Sequence, residues 1–182
     1  LIEVVVTKES GQRIREEDIS TALKQNYLKP GECLFCKEAT RVTTVLGSCV
    51  SLTFYDHQNA VGAITHSLMP YRDPTKDIYP EQPCKFVDNS VAYVLKWFKD
   101  LHISPKQLEV KLFGGARMLY NTQETIKNYL GVGEKNVQSA LETLKSYALE
   151  VQVANVGGFR GRKLIFYSHT GEVWLKHLGK KI

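Results

Sequence analysis

Residues 50–66 read VSLTFYDHQNAVGAITH. In the first seven, Val50, Leu52 and Phe54 alternate with Ser51, Thr53 and Tyr55, the two-residue period of a strand with two distinct faces. A polar group, Asp56-His57-Gln58-Asn59, follows, and AVGAITH then resumes a strand-like pattern, so the stretch predicts a β-hairpin. Placing the turn on the four residues Asp56 to Asn59 sets Cys49 across from His66. Opposed residues in an antiparallel pair lie about 4.5–5.5 Å apart at Cα with side chains on one face, which brings a thiol within reach of an imidazole. The thiolate is the nucleophile, and a neighbouring imidazolium lowers the cysteine pKa enough to populate it. Gly47 leaves the backbone room to approach a substrate, and amides near Cys49 can hold an oxyanion. A third group usually fixes the imidazole, and Thr43 and Thr44 are both candidates. The competing reading is structural: a free cysteine is commonly a small buried hydrophobe, and His66 a satisfied strand histidine.

Outward from the hairpin, Ile2 to Val6 predicts a strand, and Arg15 to Tyr27 a helix stopped by Pro30-Gly31. Residues 69–90 hold four of the six prolines and predict a long irregular crossing, a kind of segment that is usually functional or mobile. Asn89-Ser90 reads as the cap of a helix with Val91, Val94, Leu95, Phe98 and Leu101 at helical spacing. LEVKLFGGA (108–116) is a strand running into a glycine turn, and Glu124 to Leu130 a turn or two of helix. Lys135 to Tyr147 is an amphipathic helix with Val137, Ala140, Leu141 and Leu144 on one face. Three further strands, LEVQVANV, KLIFYS and EVWLK, are joined by GGFRGR and HTG. With no internal repeat, the reading is one α+β domain.

Hydrophobic residues at 43% and charged residues at 24% exclude a disordered chain, a collagen and a coiled-coil rod. The formal charge of +5 is dispersed, as in KDLHISPKQLEVK, so no basic stripe for nucleic acid forms. The longest apolar run is far below the roughly 20 residues that span a bilayer. Glu3 and Lys8 interrupt any leader core, and the expectation is a cytoplasmic protein not inserted in a membrane. Cys33, Cys36, Cys49 and Cys84 suit reduced thiols better than a disulfide framework. Cys33-Leu-Phe-Cys36 has no second close Cys/His pair to complete four zinc ligands, so no metal is expected.

Five blocks now stand in order: TTVLGSCVSLTFYD, VGAITHSLMP, KLFGGARML, VGEKNVQSALETL and NVGGFRGRKLIFYSHTGEV. Together they resemble the chemoreceptor glutamine deamidase family CheD, over about residues 30–177. The resemblance implies a cysteine hydrolase that converts receptor glutamines to glutamate with release of ammonia, chemistry that calls for no cofactor. It implies Cys49 as nucleophile, His66 as general acid/base and Thr43 as the hydroxyl supporting the histidine, with Thr44 its adjacent competitor. It also implies layered mixed β-sheets flanked by helices, related to bacterial toxin deamidases. The expected partners are methyl-accepting chemotaxis receptors as substrate and, for some members, the phosphatase CheC. The alternative is a non-catalytic protein that docks on CheC.

On this reading residues 30–182 form the deamidase domain and residues 1–29 an N-terminal extension of strand plus helix. Gly47, Ser48, Gly114 and Gly115 are candidate substrate-binding positions; Phe113-Gly114-Gly115-Ala116 reads equally as a tight strand exit. GGFRGRK reads first as a strand connection with Arg160 and Arg162 in water, and second as a basic contact for acidic receptor helices.

Overall fold

The computed structural model describes residues 3–5 as backbone, and residues 23–73, 75, 82–117 and 131–179. Among the described residues, two five-stranded sheets and two α-helices stack in three layers. Strands β1 (Glu3–Val5), β2 (Lys24–Tyr27), β4 (Thr40–Leu46), β9 (Arg162–Tyr167) and β10 (Val173–His177) form the first sheet, in the order β1-β10-β9-β4-β2. Strands β3 (Cys33–Cys36), β5 (Val50–Asp56), β6 (Val61–Thr65), β7 (Leu108–Gly114) and β8 (Val153–Val156) form the second, in the order β3-β6-β5-β7-β8. Both sheets are mixed, because β2 runs parallel to β4 and β8 parallel to β7 while the other pairs are antiparallel. Helices α1 (Val87–Asp100) and α2 (Val132–Ser146) lie on the outer face of the second sheet. The α+β layering expected from the sequence is what the chain adopts.

The alternation in VSLTFYD explains the middle layer. Val50, Leu52 and Phe54 pack with Val91, Val94, Phe98, Ala140 and Leu144 of the helices. The other face of the second sheet meets the first, around Val42, Leu46, Ile64, Phe113, Leu164 and Phe166. Every residue of β5 is buried, since a strand in a middle layer has no solvent side.

Four local expectations are corrected. The loop of the hairpin is His57–Ala60, closed by Asp56 opposite Val61, one residue later than the polar run suggested; Ala60 supplies the left-handed residue, at φ 50°. Lys24–Tyr27 is a strand, because its backbone pairs with β4, and Leu28 continues that pairing through its N–H to the Thr43 carbonyl at 2.9 Å. The rest of the helix expected from Arg15 lies outside the described residues, as does Glu124 to Leu130. Helix α1 starts at Val87 rather than after Ser90; Ser90 is buried and its hydroxyl donates back to the Val87 carbonyl. On α2 the buried positions are Gly133, Asn136, Ser139, Ala140 and Leu144, whereas Leu141 is exposed.

Both β1 and β2 belong to the first sheet, so a boundary after residue 29 falls among strands of one sheet. Among the described residues no helix is long and apolar enough to cross a membrane.

Candidate active site

Cys49 follows the bend Gly47-Ser48 that carries the chain from β4 in one sheet to β5 in the other. Three consecutive carbonyls of this bend are held from outside. Gly47 accepts from the Ala116 N–H at 2.9 Å and Cys49 from the Gly115 N–H at 2.8 Å. Ser48 accepts from Asn136 Nδ2 at 3.0 Å. The FGGA turn and α2 therefore clamp the backbone around Cys49.

That clamp explains the glycines. Gly114 and Gly115 have φ of 106° and 67°, a region that L side chains rarely adopt. A Cβ at Gly114 would collide with the Cys49 carbonyl oxygen, and one at Gly115 would lie 2.8 Å from the Gly133 carbonyl. Both glycines thus permit close backbone approach behind the cysteine. Gly115 also floors an open cleft of about 320 Å³ lined by Val137, Leu141 and Val156.

His66 stands immediately after β6. Its N–H donates to the Glu32 carbonyl at 2.9 Å and its carbonyl accepts from Gly31 at 2.7 Å. The corrected register, continued by the bridge of Val50 with Ser67, sets His66 opposite Ser51. Cys49 and His66 are therefore not directly opposed. They lie on the same inter-sheet face as diagonal neighbours, whose Cα atoms are typically about 7–8 Å apart, within reach of a long or aromatic side chain.

The threonine on the imidazole is Thr44. Its Oγ1 lies 2.8 Å from His66 Nδ1 and donates to the Leu28 carbonyl at 2.9 Å. A carbonyl only accepts, so the hydroxyl proton is committed to Leu28 and the hydroxyl oxygen accepts from Nδ1–H. The proton of the neutral ring is thereby on Nδ1, leaving a lone pair on Nε2. Nε2 is buried and has no partner among the described residues. Thr43, expected from the resemblance to support the histidine, points the other way. In β4, Val42, Thr44 and Leu46 face inward, while Thr43 and Val45 occupy the opposite face.

Burial sets the protonation states. It pushes His66 down to about 4, against weaker opposing contributions from the Leu28 carbonyl and Glu32. It pushes the Cys49 thiol up, opposed by the cysteine's own N–H. The resting pair at neutral pH is a thiol and a neutral imidazole, in place of the thiolate–imidazolium pair expected from the sequence. Desolvation is the largest cause of both shifts.

The other cysteines are elsewhere. Cys33 and Cys36, three apart on β3, face opposite sides of the strand. Cys36 sits in the inter-sheet core, with its thiol raised by burial. The Cys33 thiol is hydrogen-bonded to that of Cys84, which lowers Cys33 and raises Cys84. Among the described residues no group of three or more His, Cys, Asp or Glu could hold a metal ion.

Arg160 and Arg162 were expected in water. Arg162 is instead buried, donating to Asn155 Oδ1 at 2.7 Å and to the carbonyls of Gly114 at 3.1 Å and Gly157 at 2.6 Å. Arg160 donates to the carbonyls of Leu178 and Gly179. Asn136 and Arg162 were missed as site-forming residues. Polar groups at element positions that also carry buried apolar neighbours were the available signal.

The family described as CheD chemotactic sensory transduction matches residues 68–177. The chain belongs to the CheD family. A Geobacter sulfurreducens relative named "Probable chemoreceptor glutamine deamidase CheD 2" is 48% identical over 154 residues, which is 85% of this chain and 90% of the relative. A CheD relative from Maridesulfovibrio salexigens with the corresponding name is 38% identical over 160 residues, 87% of this chain and 94% of the other. Among solved structures, the Bacillus licheniformis hypothetical protein YfiH aligns with a TM-score of 0.42 and 13% identity, over 79% of this chain and 60% of that one. The CheD match begins after Cys49 and His66, whereas the two relatives extend across most of the chain.

Proposed function

We propose that this CheD chain is a protein-glutamine deamidase acting on methyl-accepting chemotaxis receptors, with Cys49 as nucleophile and His66 as general base and acid. One observation carries the reading. The Thr44 bridge to the Leu28 carbonyl fixes the His66 tautomer and leaves the Nε2 lone pair on the face shared with Cys49.

In the first step His66 Nε2 takes the thiol proton as sulfur adds to the carboxamide carbon of the receptor glutamine. The oxyanion is held by backbone N–H groups of the Gly47–Cys49 bend. The carbon–nitrogen bond then breaks, His66 gives its proton to the departing nitrogen, and ammonia leaves a thioester. Next His66 deprotonates a water, which attacks the thioester. The sulfur departs and regains the proton, leaving glutamate and the original thiol. The cycle consumes only water and needs neither metal nor organic cofactor. Thr44 takes the orienting role that the resemblance gave to Thr43, because only Thr44 touches the ring.

Residues 30–182 supply the proposed catalytic side chains, while residues 1–29 contribute the Leu28 carbonyl and two strands of the first sheet. The proposed substrate is a receptor's cytoplasmic helix, which makes the cytoplasm the proposed compartment. CheC is proposed as a partner that engages the same protein.

The test is mass spectrometry of receptor cytoplasmic fragments after incubation with wild-type and Cys49→Ala protein. The expected result is the mass gain of amide-to-acid conversion at a defined glutamine with wild type alone. Conversion by the variant at the wild-type rate would refute the assignment. Full signalling by the variant in cells would favour the CheC-docking alternative.

A further inference from the structure

The geometry points to Asn136 as the residue that positions the oxyanion-binding amide of Cys49, a role that rests on the deamidase reading above. Asn136 lies on α2, fully buried, and its side-chain amide donates both protons: to the Ser48 carbonyl at 3.0 Å and to the Leu68 carbonyl at 2.9 Å. Two carbonyl acceptors fix which end of the amide faces them, since an oxygen in that place would repel both. One side chain thus ties together the segment before the nucleophile and the segment that follows His66.

The consequence for Cys49 follows from the planarity of the peptide. In a trans peptide the C=O and the following N–H point in opposite directions. Asn136 draws the Ser48 carbonyl toward α2, on the outer side of the second sheet. The Cys49 N–H is therefore directed away from α2, toward the inter-sheet face where the Cys49 sulfur and His66 lie. That N–H interacts with the cysteine's own sulfur. None of the N–H groups of Gly47, Ser48 and Cys49 donates to a backbone carbonyl among the described residues. A bend with all three carbonyls occupied and no amide given to a backbone carbonyl among the described residues is prepared to receive a negative oxygen.

The arrangement is costly on its own terms. Asn136 Oδ1 is buried without a partner among the described residues, and a buried unsatisfied acceptor is destabilising. An apolar residue would avoid that cost at this buried position, but it could not hold the Ser48 carbonyl. Asn136 is a positioning residue: it touches the peptide that touches the substrate.

The experiment separates this role from general support of the loop. For wild type, Asn136→Ala and Asn136→Ser, ammonia release from a receptor cytoplasmic fragment gives kcat and KM. Peptide mass spectrometry follows alkylation of Cys49 by iodoacetamide, a displacement that develops no oxyanion. The expected result is a fall in kcat of about 100-fold with KM and the alkylation rate held within about threefold. Parallel loss of kcat and alkylation, a change confined to KM, or an unchanged kcat would each overturn the proposal.

A second measurement needs neither a variant nor a receptor. Acetaldehyde is added to wild-type protein to form the hemithioacetal on Cys49, and the amide resonance of Cys49 is followed by NMR. A downfield shift of that amide proton is expected, and adduct formation without it would overturn the proposal. If wild type releases no ammonia from receptor while the shift appears, the deamidase reading fails and the oxyanion site stands.

Discussion

At the scale of single residues, the site turns on which threonine and which proton. Thr44→Val removes the acceptor of the His66 Nδ1 proton and should lower kcat/KM about tenfold, the worth of one hydrogen bond. Thr43→Val, on the opposite face of β4, should change it little; equal effects from the two would reject the Thr44 assignment. The buried imidazole also sets a pH dependence. The unfolded chain takes up the His66 proton near the ordinary imidazole value of about 6.5, whereas the folded chain refuses it until about 4. Stability is therefore complete above that ordinary value and falls as pH drops through the window, by up to about 3 kcal/mol. His169 is also lowered by burial and adds to the slope, so chemical denaturation of wild type must be compared with His66→Gln. The difference between their slopes should vanish above about pH 7 and grow toward the acid side. The same lowered imidazole places the acid limb of kcat/KM below the ordinary histidine range, and a limb at or above that range would contradict a neutral resting pair. Cys49 and His66 were legible as residues. Thr44 was named beside Thr43, but the choice between them was not legible, because VTTVL has apolar side chains on both faces of its strand; the inward parity of Val42 and Leu46 was the one clue.

At the scale of elements, the FGGA turn and the start of α2 approach each other backbone to backbone at Gly115, Ala116 and Gly133. Gly133 abuts this turn closely, since a Cβ there would lie 2.6 Å from the Ala116 carbonyl. Gly133→Ala must push α2 away from the turn that holds Cys49. We expect destabilisation of about 1–3 kcal/mol, read by denaturant midpoint, together with loss of deamidation beyond what the unfolded fraction explains. Stability and activity both matching wild type would show that the contact is not needed. The helices themselves were readable from their apolar spacing. Their starts were less so, because α1 begins with backbone hydrogen bonds to residues 69 and 70 of the crossing loop rather than with a side-chain cap. The stripe on α2 was misjudged at Leu141 because Asn136 and Ser139 face carbonyls of Ser48, Leu68 and Pro70, which only the folded chain brings there.

At the scale of the whole molecule, Arg162 joins the two sheets at the end where the site lies. It sits on β9 of the first sheet and donates to β7 and to the end of β8 in the second. Arg162→Met would leave three acceptors without this donor and should cost about 3 kcal/mol or more by denaturation. Arg160→Met, whose bonds go to the carbonyls of half-buried Leu178 and exposed Gly179, should cost under about 1 kcal/mol. Similar costs for the two would show that the buried guanidinium is not what fastens the sheets. The sequence by itself determined the strand and helix periodicities, the order of the blocks, and Cys49 and His66 as the proposed pair, because these depend on neighbours along the chain. The tertiary structure alone decided the hairpin register, the choice of Thr44 over Thr43, the burial of Arg162 and the grip of Asn136 on the Ser48 peptide. Each of these depends on which face of a strand or helix is enclosed. That is settled only when the two sheets and the helix layer close over one another and most buried polar groups must find a partner.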